Sequence, residues 1–383
     1  MSEEMNAQDE ALDETSDTQI RRGEGWRTPR DTSNDPSREA GPIELNRYSS
    51  TMAFSGLGTF MGVPVCLTQD DLKAGGVDAA VVGAPIDMGT AMRGAAYGPR
   101  YIRMDERILP NSPEYLQNPD TRIKPFDTLK VVDYGDAPVN PLDYHESLKE
   151  VRNTVREVAE TGAMPIVLGG DHGILWPDAA AMADVYGPGK VGVIHLDKHA
   201  DCANTSYGHL ISHGTPIRRL IDDEHIPAKN FVQIGLYSYV MPDDELFDWM
   251  NEKGMRSHYL AEIDRIGFDA VLEKAIDEAL DGPEYIFLSL DIDVLDPAFA
   301  PGTGTPEAGG LTPRELLPAM RRLCHETPVV GMEVVEVAPF LDPGYTTAMY
   351  ARKSILEALT GVAQRKLGLP TPNYLHPKVA GLE

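Results

Sequence analysis

From Val77 to about residue 365 the chain alternates between two hydrophobic rhythms, and this alternation constrains the fold more than any other feature. Short, apolar, β-branched runs read as buried strands: DAAVVGAP (78–85), AMPIVLGGD (163–171), VGVIHLD (191–197), YIFLSLDID (285–293) and VVGMEVVEVAP (329–339). Helical periodicity appears at 145–161, 268–280, 312–323 and roughly 345–365, and the stretch after NFVQIGL (230–236) alternates loop and helix. A Gly-rich loop, GTAMRGAAYGP (89–99), follows the first strand-like run. Strands alternating with helices predict an α/β fold in three layers, with a mainly parallel central sheet covered on both faces. Binding residues in such a sheet gather at the carboxyl ends of the strands.

No repeat and no internal boundary interrupts 70–365, so residues 46–383 read as a single domain. Residues 1–45 form a polar, acid-rich arm, with no Lys or Arg before Arg21 and then TPRDTSNDPS, which reads as disordered or loosely docked. The chain has 34 basic and 60 acidic residues, a net charge of -26. That balance argues against nucleic-acid binding, which depends on Lys and Arg neutralising phosphates. It suits a cationic substrate drawn in by long-range attraction. Cys66, Cys202 and Cys324 are too few and too scattered for a disulfide framework. No run approaches the roughly 18 apolar residues of a membrane span. No secretory signal is visible. A cytoplasmic protein is the expectation.

Three of the strand-like runs end in acids or histidines. LGGDHG carries Asp171 and His172; HLDKHAD carries Asp197, His199 and Asp201; SLDIDVLDP carries Asp291, Asp293 and Asp296. If the strand continues past Leu196, Asp197, His199 and Asp201 project from one face and Lys198 from the other. Structural zinc prefers four ligands, mostly Cys and His. An oxygen-rich set with a minority of imidazoles suits Mn²⁺, with Ni²⁺ the second choice. Crowded carboxylates repel and raise one another's pKa. Two divalent ions relieve that repulsion and can share an activated water. The Gly-rich GTGTPEAGG (302–310) lacks the lysine of a phosphate loop.

These motifs resemble the ureohydrolase family, which includes arginase, agmatinase and related guanidino-compound hydrolases. LGGDHG (168–173), DKHAD (197–201) and SLDIDVLDPAFAPGTGTPEAGGL (289–311) carry the resemblance, supported by GAPIDMGTAMRGAAYGPRYIR (83–103) and VEVAP (335–339). FSGLGTFMGVP (54–64) is similar to the agmatinase branch. The resemblance implies the arginase-like three-layer fold and two metal ions. His172, Asp197, Asp201 and Asp291 would hold one ion. His199, Asp197, Asp291 and Asp293 would hold the other, with Asp197 and Asp291 bridging. Glu336 would grip the guanidinium, His213 would shuttle protons at the mouth, and Asp201 would accept a hydrogen bond from the attacking water. The implied reaction releases urea and an amine from agmatine or another ω-guanidino amine or acid. The implied assembly is a trimer or hexamer of identical chains, or a hetero-oligomer with a homologue.

The chain departs from the family pattern at two places. Lys198 stands where Ala is usual, and its ammonium is expected to point away from the metals toward an acid behind them. Gly62 stands where agmatinase-like sequences often have Arg. Three alternatives follow: a nickel-dependent hydrolase of free guanidine, a substituted guanidine or a biguanide such as metformin; a non-catalytic partner of an active homologue; and a mononuclear-zinc deacetylase. The full ligand set disfavours the last two. His209 reads as an exposed loop residue and Cys202 as a small buried filler.

Overall fold

Every apolar run read as a strand forms one in the computed structural model, which describes residues 38–45, 57–104, 113–239 and 243–381. In chain order the strands are β1 (Ala79–Ala84), β2 (Val131–Asp136), β3 (Met164–Gly169), β4 (Val191–Leu196), β5 (Phe231–Leu236), β6 (Arg256–Tyr259), β7 (Tyr285–Asp291) and β8 (Val329–Val335). They form one sheet in the order β2-β1-β3-β8-β7-β4-β5-β6, and every pairing is parallel. The sheet is parallel because helices carry the chain back between strands and cover both faces.

Side-chain alternation sorts each central strand between two cores. Ile194 and Leu196 of β4, Leu288 and Leu290 of β7, and Ile166 and Leu168 of β3 enter one core. Val191 and Val193, Phe287, and Val167 enter the other. Burial on both faces gives these strands their continuous apolar character, which made them legible. The two strands without a clear sequence signal, β2 and β6, lie at the sheet edges. β2 ends in the half-exposed and exposed residues Tyr134, Gly135 and Asp136, and β6 reads RSHY with only His258 buried. One-sided burial removes the hydrophobic run that marks a central strand.

The periodic segments form the helices Tyr144–Ala159, Phe268–Ala279, Pro313–Glu326 and Thr346–Lys366. The three cysteines are free, in line with the expected lack of a disulfide framework, and all three are buried. No helix among the described residues is long and apolar enough to cross a membrane. Residues 1–37 of the expected arm lie outside the described residues. Residues Gly41–Glu383 cluster as one unit, within which Ile43 pairs with Val65 through backbone hydrogen bonds of 2.8 and 3.0 Å.

The helices Pro313–Glu326 and Thr346–Lys366 meet closely at Gly361. A Cβ there would stand 2.2 Å from the Arg321 carbonyl oxygen and 2.9 Å from Cys324 Cβ. Gly361→Ala therefore overpacks the contact and is expected to cost about 1–3 kcal/mol, read as a lower urea midpoint with an unchanged m-value. An unchanged midpoint would show that the helices separate freely.

Candidate metal centre and active site

The four central strands, β3, β8, β7 and β4, are neighbours in the sheet, and each delivers a singled-out residue at its carboxyl end. Three of these ends turn in the same way. Asp171 Oδ1 accepts from Gly173 N–H at 3.0 Å, Asp197 Oδ1 from His199 N–H at 2.6 Å, and Asp291 Oδ1 from Asp293 N–H at 2.9 Å. Each aspartate thus starts a turn with its own side chain, which ends the strand and brings the residue two positions later back toward it. This corrects the expectation of a continuing strand: β4 stops at Leu196, and Asp201 adopts a left-handed φ of 47°. Asp197, His199 and Asp201 converge through a turn rather than through period-two alternation.

Convergence is tight around the buried His172. Its Nδ1 lies 3.1 Å from Asp197 Oδ2, 2.8 Å from Asp201 Oδ2 and 3.1 Å from Asp291 Oδ2. Beside it, His199 Nδ1 lies 3.0 Å from Asp293 Oδ2 and 3.5 Å from Asp197 Oδ1. Asp197 belongs to both groups, as a bridging ligand must. His172 Nδ1 and Asp197 Oδ2 are buried with no hydrogen-bond partner among the described residues, despite these short approaches. Oxygen and nitrogen atoms crowded without hydrogen-bond geometry suit a cation held between them. The residues therefore fit a pair of divalent ions.

The electrostatics agree. Burial works against charging His172, yet Asp197, Asp201 and Asp291 hold its pKa well above the ordinary imidazole value. His199 is also opposed by burial but is pushed up to about 12, first by Asp293 and then by Asp197. Burial, followed by the charges of Asp293 and Asp197, holds Asp291 well above the usual carboxylate range. Burial and then Asp197 bring Asp293 to about 6. Without metal, protons on imidazoles and carboxyls must offset the crowded negative charge; two divalent cations would do so without them.

Glu336 follows β8 with a left-handed φ of 61°. Strained non-glycine backbone of this kind costs energy and concentrates at functional sites. Here it is held by the Glu336 N–H donating to Gly170 O at 2.9 Å. Gly170 is itself left-handed, and a Cβ there would meet the Ala84 oxygen at 2.5 Å. Glu336 Oε1 accepts from His172 N–H at 3.0 Å and faces His213 Nδ1 at 3.3 Å. Its Oε2 is buried and has no partner among the described residues. Burial opposes charge on His213, but Glu336 outweighs it and raises the pKa to about 9. Asp171 stays apart from the ligand groups. It accepts from Gly89 N–H at 2.7 Å and Tyr144 O–H at 2.8 Å, and Gly89 O accepts from His213 N–H at 3.1 Å. Asp171 thus ties the Gly-rich loop to the segment carrying His213.

Sequence reasoning missed His195. It is fully buried, and its Nε2 lies 3.0 Å from Asp197 Oδ2. Position alone would allow it to join His172, Asp197 and Asp201 around a metal. Its neighbours point to another role. Gln233 Nε2 donates to Ala200 O at 2.9 Å and lies 3.2 Å from His195 Nδ1, while Gln233 Oε1 accepts from Ser257 O–H at 2.9 Å. Nδ1 is therefore an acceptor, so Nε2 carries the proton and turns it toward Asp197 Oδ2, a close approach that, like that of His172 Nδ1, lacks hydrogen-bond geometry. The available signal was the spacing of two between His195 and Asp197, which on a strand puts both on one face.

Lys198 is also fully buried, and the expected acid partner is not what it meets. Its Nζ donates to Ala308 O at 3.3 Å and lies 4.6 Å from the centroid of Tyr237. Burial lowers its pKa, with Asp293 the leading opposing charge. Asp296 accepts from the N–H groups of Ala298, Gly309 and Gly310 and pins the loop that includes Ala308. His209 is exposed and Cys202 buried, as expected.

Residues 77–361 match the arginase family. The chain is 38% identical over 289 residues to a mitochondrial agmatinase of Gallus gallus, covering 75% of this chain and 82% of that protein. It is 37% identical over 314 residues to a guanidinopropionase of Pseudomonas aeruginosa, covering 81% and 93%. Among solved structures, proclavaminate amidino hydrolase from Streptomyces clavuligerus superimposes with a TM-score of 0.73 at 32% identity, covering 82% of this chain and 100% of that one.

His195→Phe keeps a ring of similar size but removes the Nε2–H that faces Asp197 Oδ2. Loss of such a support is expected to weaken Mn²⁺ binding about 10- to 100-fold, measured by competition with a chromophoric chelator. Parent-like affinity would reduce His195 to a packing residue.

Proposed function

The chain belongs to the arginase family, and we propose that it hydrolyses a small guanidino compound, agmatine or another ω-guanidino amine or acid, to urea and an amine with two divalent metal ions. The observation that carries this reading is the unpartnered, buried Oε2 of Glu336, on a carboxylate whose Oε1 already meets the backbone of the ligand candidate His172. A buried acceptor with a free oxygen suits a planar cation that brings its own N–H groups. A Cβ at Gly304 would stand 3.7 Å from Oε2, so the glycine keeps that side of the carboxylate open.

His172, Asp197, Asp201 and Asp291 would hold one ion, and His199, Asp197, Asp291 and Asp293 the other. Mn²⁺ is the first choice and Ni²⁺ the second. When bound, the two ions would neutralise the carboxylates and lower the pKa of water toward neutrality. Glu336 binds the guanidinium and orients its carbon. Asp201 accepts a hydrogen bond from the attacking water. Attack makes the carbon tetrahedral, and its collapse requires a proton on the departing amine. His213 is raised by Glu336 and carries that proton at neutral pH. It is partly exposed, whereas Glu336 is almost wholly buried, so it can exchange protons with solvent. The acidic chain would favour approach of a cationic substrate. The proposal extends to a cytoplasmic trimer or hexamer, which light scattering on the eluting protein would size.

The reading is tested by urea release from protein stripped of metal and reloaded with Mn²⁺ or Ni²⁺. The substrates are agmatine, guanidinobutyrate, guanidinopropionate, arginine, guanidine, methylated guanidines and metformin. Turnover of an ω-guanidino amine or acid is expected. Two bound ions per chain with no urea from any substrate would instead favour a non-catalytic subunit.

Two variants separate the roles. Asp197→Ala is expected to abolish urea release with loss of at least one ion per chain, counted by elemental analysis. Full metal content with normal turnover would refute the bridging role. His213→Ala is expected to retain both ions while kcat falls about 10²- to 10⁴-fold. An unchanged kcat would mean that the leaving amine takes its proton elsewhere.

A further inference from the structure

A row of polar residues crosses the sheet beneath the candidate centre. Ser257, Gln233, His195, Ser289 and Glu333 stand in register on β6, β5, β4, β7 and β8. The last four have no exposed surface. Such a row is costly in a sheet buried on both faces unless each group is satisfied. Its first half runs from Ser257 through Gln233 to His195 and ends on Asp197.

The second half ends on His172. Ser289 O–H donates to Glu333 Oε1 at 2.7 Å, and Ser289 Oγ lies 3.0 Å from His172 Nε2. A serine has one hydrogen. With that hydrogen given to Glu333, Oγ accepts from His172 Nε2–H, leaving the Nδ1 lone pair free for an ion. A second buried acid, Asp178, in the first turn of the helix Leu175–Tyr186, interacts with Glu333. It too has no exposed surface. Asp178 Oδ1, Asp178 Oδ2 and Glu333 Oε2 have no hydrogen-bond partner among the described residues. Two fully buried carboxylates that face each other with no donor between them cannot both stay charged. One proton on the pair supplies the missing donor. Burial first, and Glu333 second, raise Asp178 well above the ordinary carboxylate range.

We propose that Asp178 is a neutral carboxylic acid that donates to Glu333, and that the chain Asp178–Glu333–Ser289 is a positioning relay fixing the His172 tautomer for metal binding. Glu333 is the acceptor at the centre of the relay, taking the Ser289 O–H on Oε1. Ser289 passes its orientation to the imidazole, and Asp178 removes the need for a second buried charge. This rests on the reading of His172 as a metal ligand. The binding of metal, rather than the turnover of substrate, is its direct consequence.

The test compares Asp178→Asn with Asp178→Ala. A carboxamide N–H can replace the acid O–H, so Asp178→Asn is expected to bind Mn²⁺ like the parent. Asp178→Ala leaves Glu333 without its donor and is expected to bind Mn²⁺ about 10- to 100-fold more weakly. Chelator competition measures both, at temperatures below the thermal midpoint of each metal-free variant. Infrared spectra of the Mn²⁺-loaded parent are expected to show a protonated-carboxyl stretch that is absent from Asp178→Asn. Parent-like Mn²⁺ affinity in Asp178→Ala, equal losses in both variants, or no such band in the parent would overturn the relay. His172→Ala tests the underlying reading: retention of both ions would overturn the ligand assignment. Loss of ions in His172→Ala beside parent-like affinity in Asp178→Ala would overturn the relay alone.

Discussion

The crowding of buried carboxylates at the ends of four neighbouring strands is the constraint on which the rest of the site depends. Asp197, Asp201 and Asp291 each approach the one nitrogen of His172 within 3.1 Å. Such a group is unstable unless something positive stands within it. Protons on His172 and His199 meet that need in the metal-free chain, and the perturbed pKa values of Asp291 and Asp293 record the strain. Cation binding and the architecture of the site are therefore two sides of one electrostatic requirement.

Holding this crowd together takes rigid geometry, supplied by elements that are ordinary individually. Aspartate turns end three strands and return the following residues to the centre. The left-handed Glu336 is secured by a backbone bond to Gly170. Beneath these groups, the row from Ser257 to Glu333 meets the candidate ligands from the sheet side, His195 facing Asp197 and Ser289 bonding His172. On the other side of the candidate centre, Glu336 Oε1 and His213 Nδ1 face each other at 3.3 Å.

Much of this is legible in the sequence. The apolar runs ending in Asp171, Asp197 and Asp291 mark central strands because burial on both faces demands apolar residues on both faces. β2 and β6 were not legible because edge strands are buried on one side and carry a weaker pattern. The ligand candidates could be named because acids and histidines after buried strands are expensive without a purpose. His195 escaped notice although it precedes Asp197 by two residues, because a lone histidine inside a strand is ambiguous until its partners are known. Lys198 was expected to meet an acid behind the ligands, but its partners are the Ala308 carbonyl and the Tyr237 ring. Those groups come from distant segments, and no local pattern links them to position 198.

The sequence by itself determined the kind of fold and the chemical types gathered in it. Periodicity sets strand and helix through local backbone geometry and burial, and motif spacing is itself a local property. Tertiary structure alone decided that β3, β8, β7 and β4 lie side by side, so that residues from 171 to 336 share one crevice. Strand order depends on how crossovers pack over the whole sheet, and spacing along the chain does not encode it. The same ordering aligned Gln233, His195, Ser289 and Glu333 into one buried row. Each is an isolated polar residue in its own strand, and only lateral pairing gives it a neighbour to bond.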